Sequence, residues 1–211
     1  MKQIEGLWLP DGDEHFEGQL KGSPIFWGKP TYQFKKFAFI FPHIKNFRHA
    51  VDIGAHCGLW SRVLERVFPR VTAFEPVPEH IECLHANTGN TLVHPVALGK
   101  ETGTARMSSP TSNSGNAAIC PNGDIEVSLR ALDSYELSEI DFLKMDCEGY
   151  EYSVLQGGLE TIKRNRPAII IEQHKGWANN QGVYEFSGLK LLEGLGMKVI
   201  AKFNSDYLLT F

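Results

Sequence analysis

The stretch Val51-Asp52-Ile53-Gly54-Ala55-His56-Cys57-Gly58 decides the fold of this chain. An apolar run ends in Asp52, a loop framed by Gly54 and Gly58 follows (the glycine loop), and an amphipathic segment comes next over 59–68. This order predicts a strand, a tight loop and a helix, because glycine lets the backbone turn sharply and approach a ligand closely. The positive end of the helix would face the loop. The sequence therefore predicts a ligand-binding loop with an acid beside it.

The acid indicates which ligand the glycine loop suits. A dinucleotide's pyrophosphate prefers a G-x-G-x-x-G loop without a neighbouring carboxylate, whereas the spacing here is D-x-G-x-x-x-G. Asp52 would repel a phosphate but would attract a cationic ligand. S-adenosylmethionine has an ammonium and a sulfonium group, and its single carboxylate can accept hydrogen bonds from loop amides. We therefore expect this cofactor rather than a dinucleotide.

A second strand with an acid at its end strengthens this interpretation. The apolar run 71–74 is followed by Glu75 and Pro76, about twenty residues after the glycine loop. In a strand–helix–strand unit, a carboxylate at that position accepts two hydrogen bonds from the ribose hydroxyls. The alternative is that Asp52 and Glu75 only cap strand ends or form surface ion pairs. Since both acids follow apolar strands at the spacing that a nucleoside requires, we favour the cofactor site.

Strands and helices alternate along the rest of the chain. Further strands are expected in the apolar runs 92–98, 140–146, 167–172, 198–203 and 207–211, the last two forming a hairpin. This order predicts an α/β fold, a Rossmann-like three-layer sandwich with a mostly parallel sheet and an antiparallel C-terminal strand. Asp146 and Glu172 end two of these strands. With Asp52 and Glu75 they place four acids at the carboxyl edge of the sheet, where such folds bind ligands.

Residues 1–47, the leader, are rich in glycine, proline and aromatic residues, and we separate them from a cofactor-binding domain over 48–211. Alternation in Phe37-Ala38-Phe39-Ile40-Phe41 predicts a strand, which Pro42 would end. The aromatic residues either cover one edge of the sheet, the commoner use of such residues, or form a lid or substrate wall. The loop 110–122, here called the serine-rich loop, is placed near the ligand edge, from which it can close over the cofactor.

The composition excludes several other classes of protein. The chain of 211 residues has the size of one domain, and its formal charge of −4 gives no reason to expect nucleic acid or an anionic membrane as a partner. Its four cysteines are widely spaced and indicate neither a zinc site nor a disulfide framework. Residues 1–10 lack a signal-peptide pattern and no apolar run has transmembrane length, so we expect a cytoplasmic protein. A homodimer contact through the aromatic leader stays open.

Several motifs resemble those of one methyltransferase family. They are residues 51–58, Phe74-Glu75-Pro76, Leu132-Asp133-Ser134 and above all the K-x-D-x-E-G-x-E run within 142–151. Through them the chain resembles the FkbM family of class I S-adenosylmethionine-dependent methyltransferases over roughly 48–211. The resemblance implies a seven-stranded sheet with an antiparallel C-terminal hairpin strand, and O-methylation of sugar or polyketide hydroxyls. One departure is His56, which stands where the family usually has asparagine in D-x-G-A-N-x-G.

The expected cofactor-binding residues lie in the glycine loop and at the strand ends: Asp52, Gly54, His56, Gly58, Glu75, Pro76, Ala97 and Asp146. Methyl transfer to a hydroxyl is an in-line displacement, which depends on alignment and on a base near the acceptor. Asp146 is the first candidate for that base, followed by Glu172 and by His174, since histidine titrates nearest neutral pH. A divalent metal ion held by these three side chains is a less favoured alternative.

Two other classes of function are open from the residues. A nicotinamide-dependent oxidoreductase would use the same layered fold, but the missing G-x-G-x-x-G and the acid at position 52 count against it. A non-catalytic cofactor-fold module that acts as a binding partner is the other, because a fold alone does not establish turnover. For a methyltransferase we expect a small-molecule or glycan acceptor.

Overall fold

The structure is a computed structural model that describes residues 1–174 and 184–211. Within them the leader has these elements: β1 (Lys2–Ile4), β2 (Leu7–Leu9), α1 (His15–Leu20), β3 (Ile25–Phe26), β4 (Lys29–Pro30) and α2 (Phe34–Ile40). The later strands are β5 (His49–Ile53), β6 (Arg70–Phe74), β7 (Thr91–His94), β8 (Ala97–Leu98), β9 (Gly103–Ser108), β10 (Ala118–Ile119), β11 (Ile125–Arg130), β12 (Ile140–Met145), β13 (Ala168–Glu172), β14 (Lys198–Phe203) and β15 (Asp206–Thr210). The later helices are α3 (Ser61–Leu64), α4 (Pro78–Asn87), α5 (Glu151–Gln156), α6 (Leu159–Asn165) and α7 (Ser187–Gly194).

The central sheet, as far as the chain is described, has seven strands in the order β14-β15-β13-β12-β5-β6-β7. Strand β5 pairs in parallel with β6 and β12, whereas β15 runs antiparallel to β13 and β14. All residues of β5 are buried, as expected for a central parallel strand covered on both faces. The predicted Rossmann-like sheet with an antiparallel C-terminal hairpin strand is confirmed.

Two apolar clusters cover the two faces of the central sheet. Because successive side chains of a strand point to opposite faces, Leu143 lies in one cluster and Phe142 in the other. The Leu143 cluster includes Leu189 of α7, and the Phe142 cluster includes Trp60 and the leader residue Phe37. The leader therefore shares the core of the sandwich.

One predicted strand is divided between two sheets. The run 92–98 forms β7 in the central sheet and β8 in a second sheet of order β10-β9-β11-β8. Pro95 has no N–H group to donate to a strand ladder, and the backbone N–H of Val96 donates to the carbonyl of His94. The prediction of one continuous strand was wrong because this turn separates its halves.

The predicted strand over 37–41 is also wrong, since these residues belong to helix α2 and the turn after it. Phe37 and Ile40, three residues apart, are buried, whereas Phe39 is 41% exposed. That is the spacing of a helical face. The alternating aromatic residues imitated the two-residue period of a strand. The helix predicted over 59–68 is present, but its regular part is limited to α3.

The leader packs on the glycine loop and on α4. Leu7, Leu9 and Phe16 form an apolar cluster with Cys57 of the glycine loop and Cys83 of α4. Farther along the leader, Lys36 forms an ion pair of 2.6 Å with Asp206 at the start of β15. None of the helices in the described ranges is long and apolar enough to cross a membrane.

We predict that Gly157→Ala destabilises the fold by about 1–3 kcal/mol, since overpacking forces backbone shifts. A Cβ at Gly157, after α5, would lie 2.0 Å from the carbonyl oxygen of Gly99. Urea unfolding would measure the loss. Gly194→Ala in α7 is the control, because a Cβ there has nothing within 4 Å. Equal stabilities of the two variants would contradict the prediction.

Candidate active site

Two adjoining clefts open at the carboxyl edge of the central sheet. The first, here called the apolar cleft, encloses about 530 Å³ of space, part of which is open to solvent. Its walls come from the ends of β5 and β6 and from the second sheet. The lining includes Ile53, Phe74, Glu75, Pro76, His80, Val96, Ala97, Leu98, Met107 and Ile119. The arrangement is an apolar slot with a carboxylate at one side.

The second cleft, here called the polar cleft, lies beside the first and includes leader residues. Its lining includes His15, Phe16, Tyr32, Gln33, Trp60, Asn113, Asn116, Lys144, Glu172 and His174. Gly54, His56, Gly115, Asp146 and Glu148 line both clefts. These five residues therefore form the junction of the two clefts.

Glu75 is buried and held by three hydrogen bonds. Its Oε2 accepts from the backbone N–H of His56 at 2.8 Å, and its Oε1 accepts from the backbone N–H of Val77 at 2.9 Å. The third partner is His80 Nδ1, 3.2 Å from Oε1. A carboxylate offers about four lone-pair positions, so Glu75 has room for about one further donor. The two ribose hydrogen bonds expected from the sequence would need His80 or a backbone group to give way.

A buried ammonium group lies beneath the junction. Lys144 Nζ donates to the carbonyl oxygen of Gly54 at 2.6 Å and lies 3.4 Å from Asp52 Oδ1 and 3.7 Å from Asp146 Oδ2. Burial alone would lower the pKa of Lys144, but the Asp52 and Asp146 carboxylates outweigh burial and raise it. Lys144 therefore keeps its charge and fixes the strand ends of β5 and β12 to each other.

Asp52 and Gly58 lie behind the clefts rather than in their walls. Asp52 is fully buried, and its Oδ2 accepts a hydrogen bond of 2.7 Å from Ser61 Oγ. Its charge is compensated by Lys144, which the sequence interpretation had not assigned. Gly58 has a φ of +75°, and a Cβ at this position would lie 3.1 Å from Leu84 Cγ. Both residues stabilise the glycine loop, and a direct contact of Asp52 with the cofactor stays a prediction.

Three carboxyl groups cluster on the ligand side of Lys144. Oxygens of Asp146, Glu148 and Glu172 lie within 4.8 Å of one another, close enough to hold a metal ion. Burial raises the pKa of Glu148 to about 8, with a further contribution from the Asp146 charge. Burial and the same charge also raise the pKa of Glu172. At neutral pH Glu148 and Glu172 therefore hold protons and can donate hydrogen bonds.

The three predicted catalytic side chains come together at the polar cleft. Glu172 Oε1 accepts a hydrogen bond of 3.0 Å from Ser205 Oγ and lies 3.1 Å from His174 Nε2. Asp146 borders the same cleft. The side chains close enough together to hold a metal ion are Asp146, Glu148 and Glu172. The sequence had instead predicted His174 as the third ligand beside Asp146 and Glu172.

Several residues of the site were not identified from the sequence. His80 lies in the first turn of α4, and the only sequence feature that could have indicated it is its position five residues after Glu75. Tyr32 and Gln33 belong to the leader, and the only sequence feature that could have indicated them is the leader's high content of aromatic residues. Ser114 lies in the serine-rich loop, whose position near the ligand edge was expected and whose residues now line both clefts.

Comparison with known proteins supplies the family. A model described as the methyltransferase FkbM domain matches residues 52–199. The chain belongs to the FkbM methyltransferase family. No curated protein matches this FkbM chain at a significant level. The family match begins at Asp52 and does not include the leader.

Solved structures agree with the FkbM assignment at the level of the fold. The structure of a methyltransferase FkbM from Methylobacillus flagellatus KT is similar with a TM-score of 0.50 and 20% identity, covering 78% of this chain and 43% of that one. The chain thus spans less than half the length of that protein. A precorrin-6y C5,15-methyltransferase from Geobacter metallireducens GS-15 has a TM-score of 0.52 at 12% identity and covers 99% of this chain and 98% of its own. A ribosomal protein L11 methylase from Lactobacillus delbrueckii subsp. bulgaricus has a TM-score of 0.53 at 8% identity, with 89% of each chain covered.

We predict that Glu148 makes the fold less stable as the pH rises from about 4.5 to about 8. In this window the folded chain keeps a proton that the unfolded chain has released, so the free energy of unfolding falls with increasing pH. Glu148→Gln should flatten this fall, and Glu193→Gln, at an exposed position of α7, should retain it. Urea unfolding at a series of pH values measures both. Parallel curves for the wild type and Glu148→Gln would contradict the prediction.

Proposed function

We propose that this chain is an S-adenosylmethionine-dependent O-methyltransferase that acts on a hydroxyl of a sugar or another small-molecule acceptor. The junction of the two clefts is the observation that supports this best. Asp146, Gly54 and His56 border both an apolar slot beside Glu75 and a polar cleft with further titratable side chains, among them Glu148, Glu172 and His174. A nucleoside cofactor and a polar acceptor would therefore meet at Asp146.

The donor set of the apolar cleft fits the proposed cofactor. Phe74, Ala97 and Ile119 offer apolar surface to an adenine ring, and Glu75 has capacity for a ribose hydroxyl. The charge of Asp146 at the junction favours a ligand with positive charge. When bound, S-adenosylmethionine supplies a methyl group that its sulfonium makes electrophilic.

The polar cleft suits an acceptor with several hydroxyl groups. Tyr32 provides an aromatic face for the C–H surface of a sugar ring, and Gln33 and Asn113 provide amide groups for its hydroxyls. Trp60 Nε1 donates a hydrogen bond of 3.0 Å to Gln33 Oε1, which fixes the amide beside the indole. The site is thus partly ordered before an acceptor binds.

The proposed roles follow from the protonation of the carboxyl cluster. Asp146 would accept the proton of the acceptor hydroxyl, whose oxygen would bond to the methyl carbon as the bond from that carbon to the sulfonium sulfur breaks and S-adenosylhomocysteine leaves. Glu172, which holds a proton at neutral pH because its pKa is raised by burial and by Asp146, donates a hydrogen bond to the acceptor. His174, beside Glu172, is the second candidate for the base.

The cofactor class is tested by calorimetric titration of the purified chain with S-adenosylmethionine and, separately, with NADH. We expect binding of the first ligand only, and its loss by at least about tenfold in Glu75→Ala, since a hydrogen bond to a charged group is removed. Glu82→Ala, at an exposed position of α4, is the control and should bind normally. Binding of NADH instead would favour the oxidoreductase alternative, and binding of neither would remove the proposal.

The role of Asp146 is tested by Asp146→Asn with a panel of mono- and oligosaccharide acceptors. If Asp146 is the base, kcat should fall by about 10²–10⁴-fold, while the Kd for S-adenosylhomocysteine should change by no more than a few-fold. Asp124→Asn, in an exposed turn, is the control. Equal losses of kcat and of affinity would assign Asp146 to cofactor binding. Turnover of the cofactor without a methylated sugar would exclude the proposed acceptor class.

A further inference from the structure

Three side chains from separate parts of the chain form a continuous hydrogen-bonded link. Asp13 belongs to the leader, Ser114 to the serine-rich loop and His56 to the glycine loop. Asp13 Oδ2 accepts hydrogen bonds from Ser114 N at 2.9 Å and from Ser114 Oγ at 2.5 Å. Ser114 Oγ lies 2.7 Å from His56 Nε2. Asp13 is fully buried and Ser114 is 2% exposed, so water does not compete for these contacts.

The link determines which nitrogen of His56 is protonated. A carboxylate can only accept hydrogen bonds, so the single hydroxyl proton of Ser114 is directed at Asp13. Ser114 Oγ must then accept from an Nε2–H group of His56. Burial, with a smaller contribution from His80, lowers the pKa of His56 well below its usual range, so the ring is neutral. Nδ1 is therefore unprotonated and is the acceptor of the ring.

The ring of His56 is also held by its neighbours. It stacks on Phe16 of α1, with 4.7 Å between ring centroids, and contacts the edge of His80 at 4.4 Å. Its backbone N–H donates to Glu75. His56 lines both clefts. A defined tautomer at this position therefore presents a defined hydrogen-bonding group to a ligand at the junction.

We infer that Asp13 and Ser114 are positioning residues that hold His56 as the Nε2–H tautomer, so that its Nδ1 accepts a hydrogen bond from a bound S-adenosyl ligand. The hydrogen bond between Nδ1 and the ligand rests on the proposed function, whereas the assignment of the tautomer does not. Asp13 lies outside the residues matched by the family model. The leader thus completes a cofactor site that the matched domain does not supply alone.

A role of Asp13 in stabilising helix α1 can be separated from its role in positioning His56. Asp13 Oδ1 accepts a hydrogen bond of 2.7 Å from the backbone N–H of Phe16 at the start of α1, whereas the link to Ser114 uses Oδ2. Substitution of Asp13 would disturb both. Ser114→Ala removes only the hydroxyl between Asp13 and His56, and Ser114→Thr retains a hydroxyl there. Ser112→Ala, at an exposed position of the same loop, is the matched control.

The experiment combines ¹⁵N NMR of the histidine side chains with calorimetry, using the full chain and S-adenosylhomocysteine as the probe. Signals of His56 are assigned by their loss in His56→Gln. We expect the neutral Nε2–H tautomer in the wild type, in Ser112→Ala and in Ser114→Thr. In Ser114→Ala we expect a mixture of tautomers and a Kd that is about tenfold higher, because one hydrogen bond no longer orients the ring.

Two results would overturn the positioning role. They are an Nδ1–H tautomer in the wild type, and a tautomer and Kd that Ser114→Ala leaves unchanged. Absence of S-adenosylhomocysteine binding by the wild type would overturn the ligand part together with the proposed function. The tautomer comparison would still decide, in that case, whether Asp13 and Ser114 position His56.

Discussion

The site depends on one buried ammonium group placed between two carboxylates. Lys144 of β12 is paired in register with Asp52 of β5, so the parallel sheet itself sets the two charges side by side. Removing one partner from a buried ion pair typically costs about 3–5 kcal/mol, because the other charge is left unpaired. Lys144 also bonds the carbonyl of Gly54. It thereby joins the glycine loop to the strand end that precedes Asp146.

Lys144 neutralises the charge of Asp52 inside the protein, so other acids determine the charge that a ligand meets. With Asp52 paired to Lys144, the negative charge at the junction comes from Asp146. Glu148 and Glu172 add to it only when their carboxyl groups release their protons. The raised pKa of Glu148 means that a bound cation would favour release of its proton. In the proposed function, the charge of Asp146 attracts a cationic cofactor and the protonated Glu172 donates a hydrogen bond to a neutral acceptor. Phe16 and Tyr32 of the leader line the polar cleft together with this cluster, and Ser114 of the serine-rich loop lines the apolar cleft.

The sequence was sufficient for those features that follow from local patterns. Apolar strands that end in Asp52, Glu75, Asp146 and Glu172 had to meet at one edge, because parallel strands share their carboxyl edge. The helix α2 was missed because its aromatic residues satisfy the period of a strand as well as that of a helix. Contacts such as Asp13 with Ser114 join residues far apart in sequence, and no local period encodes them. The pairing of Asp52 did have a signal, namely a lysine among the apolar residues Phe142, Leu143 and Met145 of strand β12.

We propose that the apolar cleft receives the adenosyl group and that the junction at Asp146 receives the reacting end of the cofactor. A crystal structure of the chain with S-adenosylhomocysteine would decide this. We expect the adenine between the second sheet and the ends of β5 and β6, a ribose hydroxyl on Glu75 and the sulfur beside Asp146. A ligand bound elsewhere, or one that occupies the polar cleft without contacting Glu75, would contradict it.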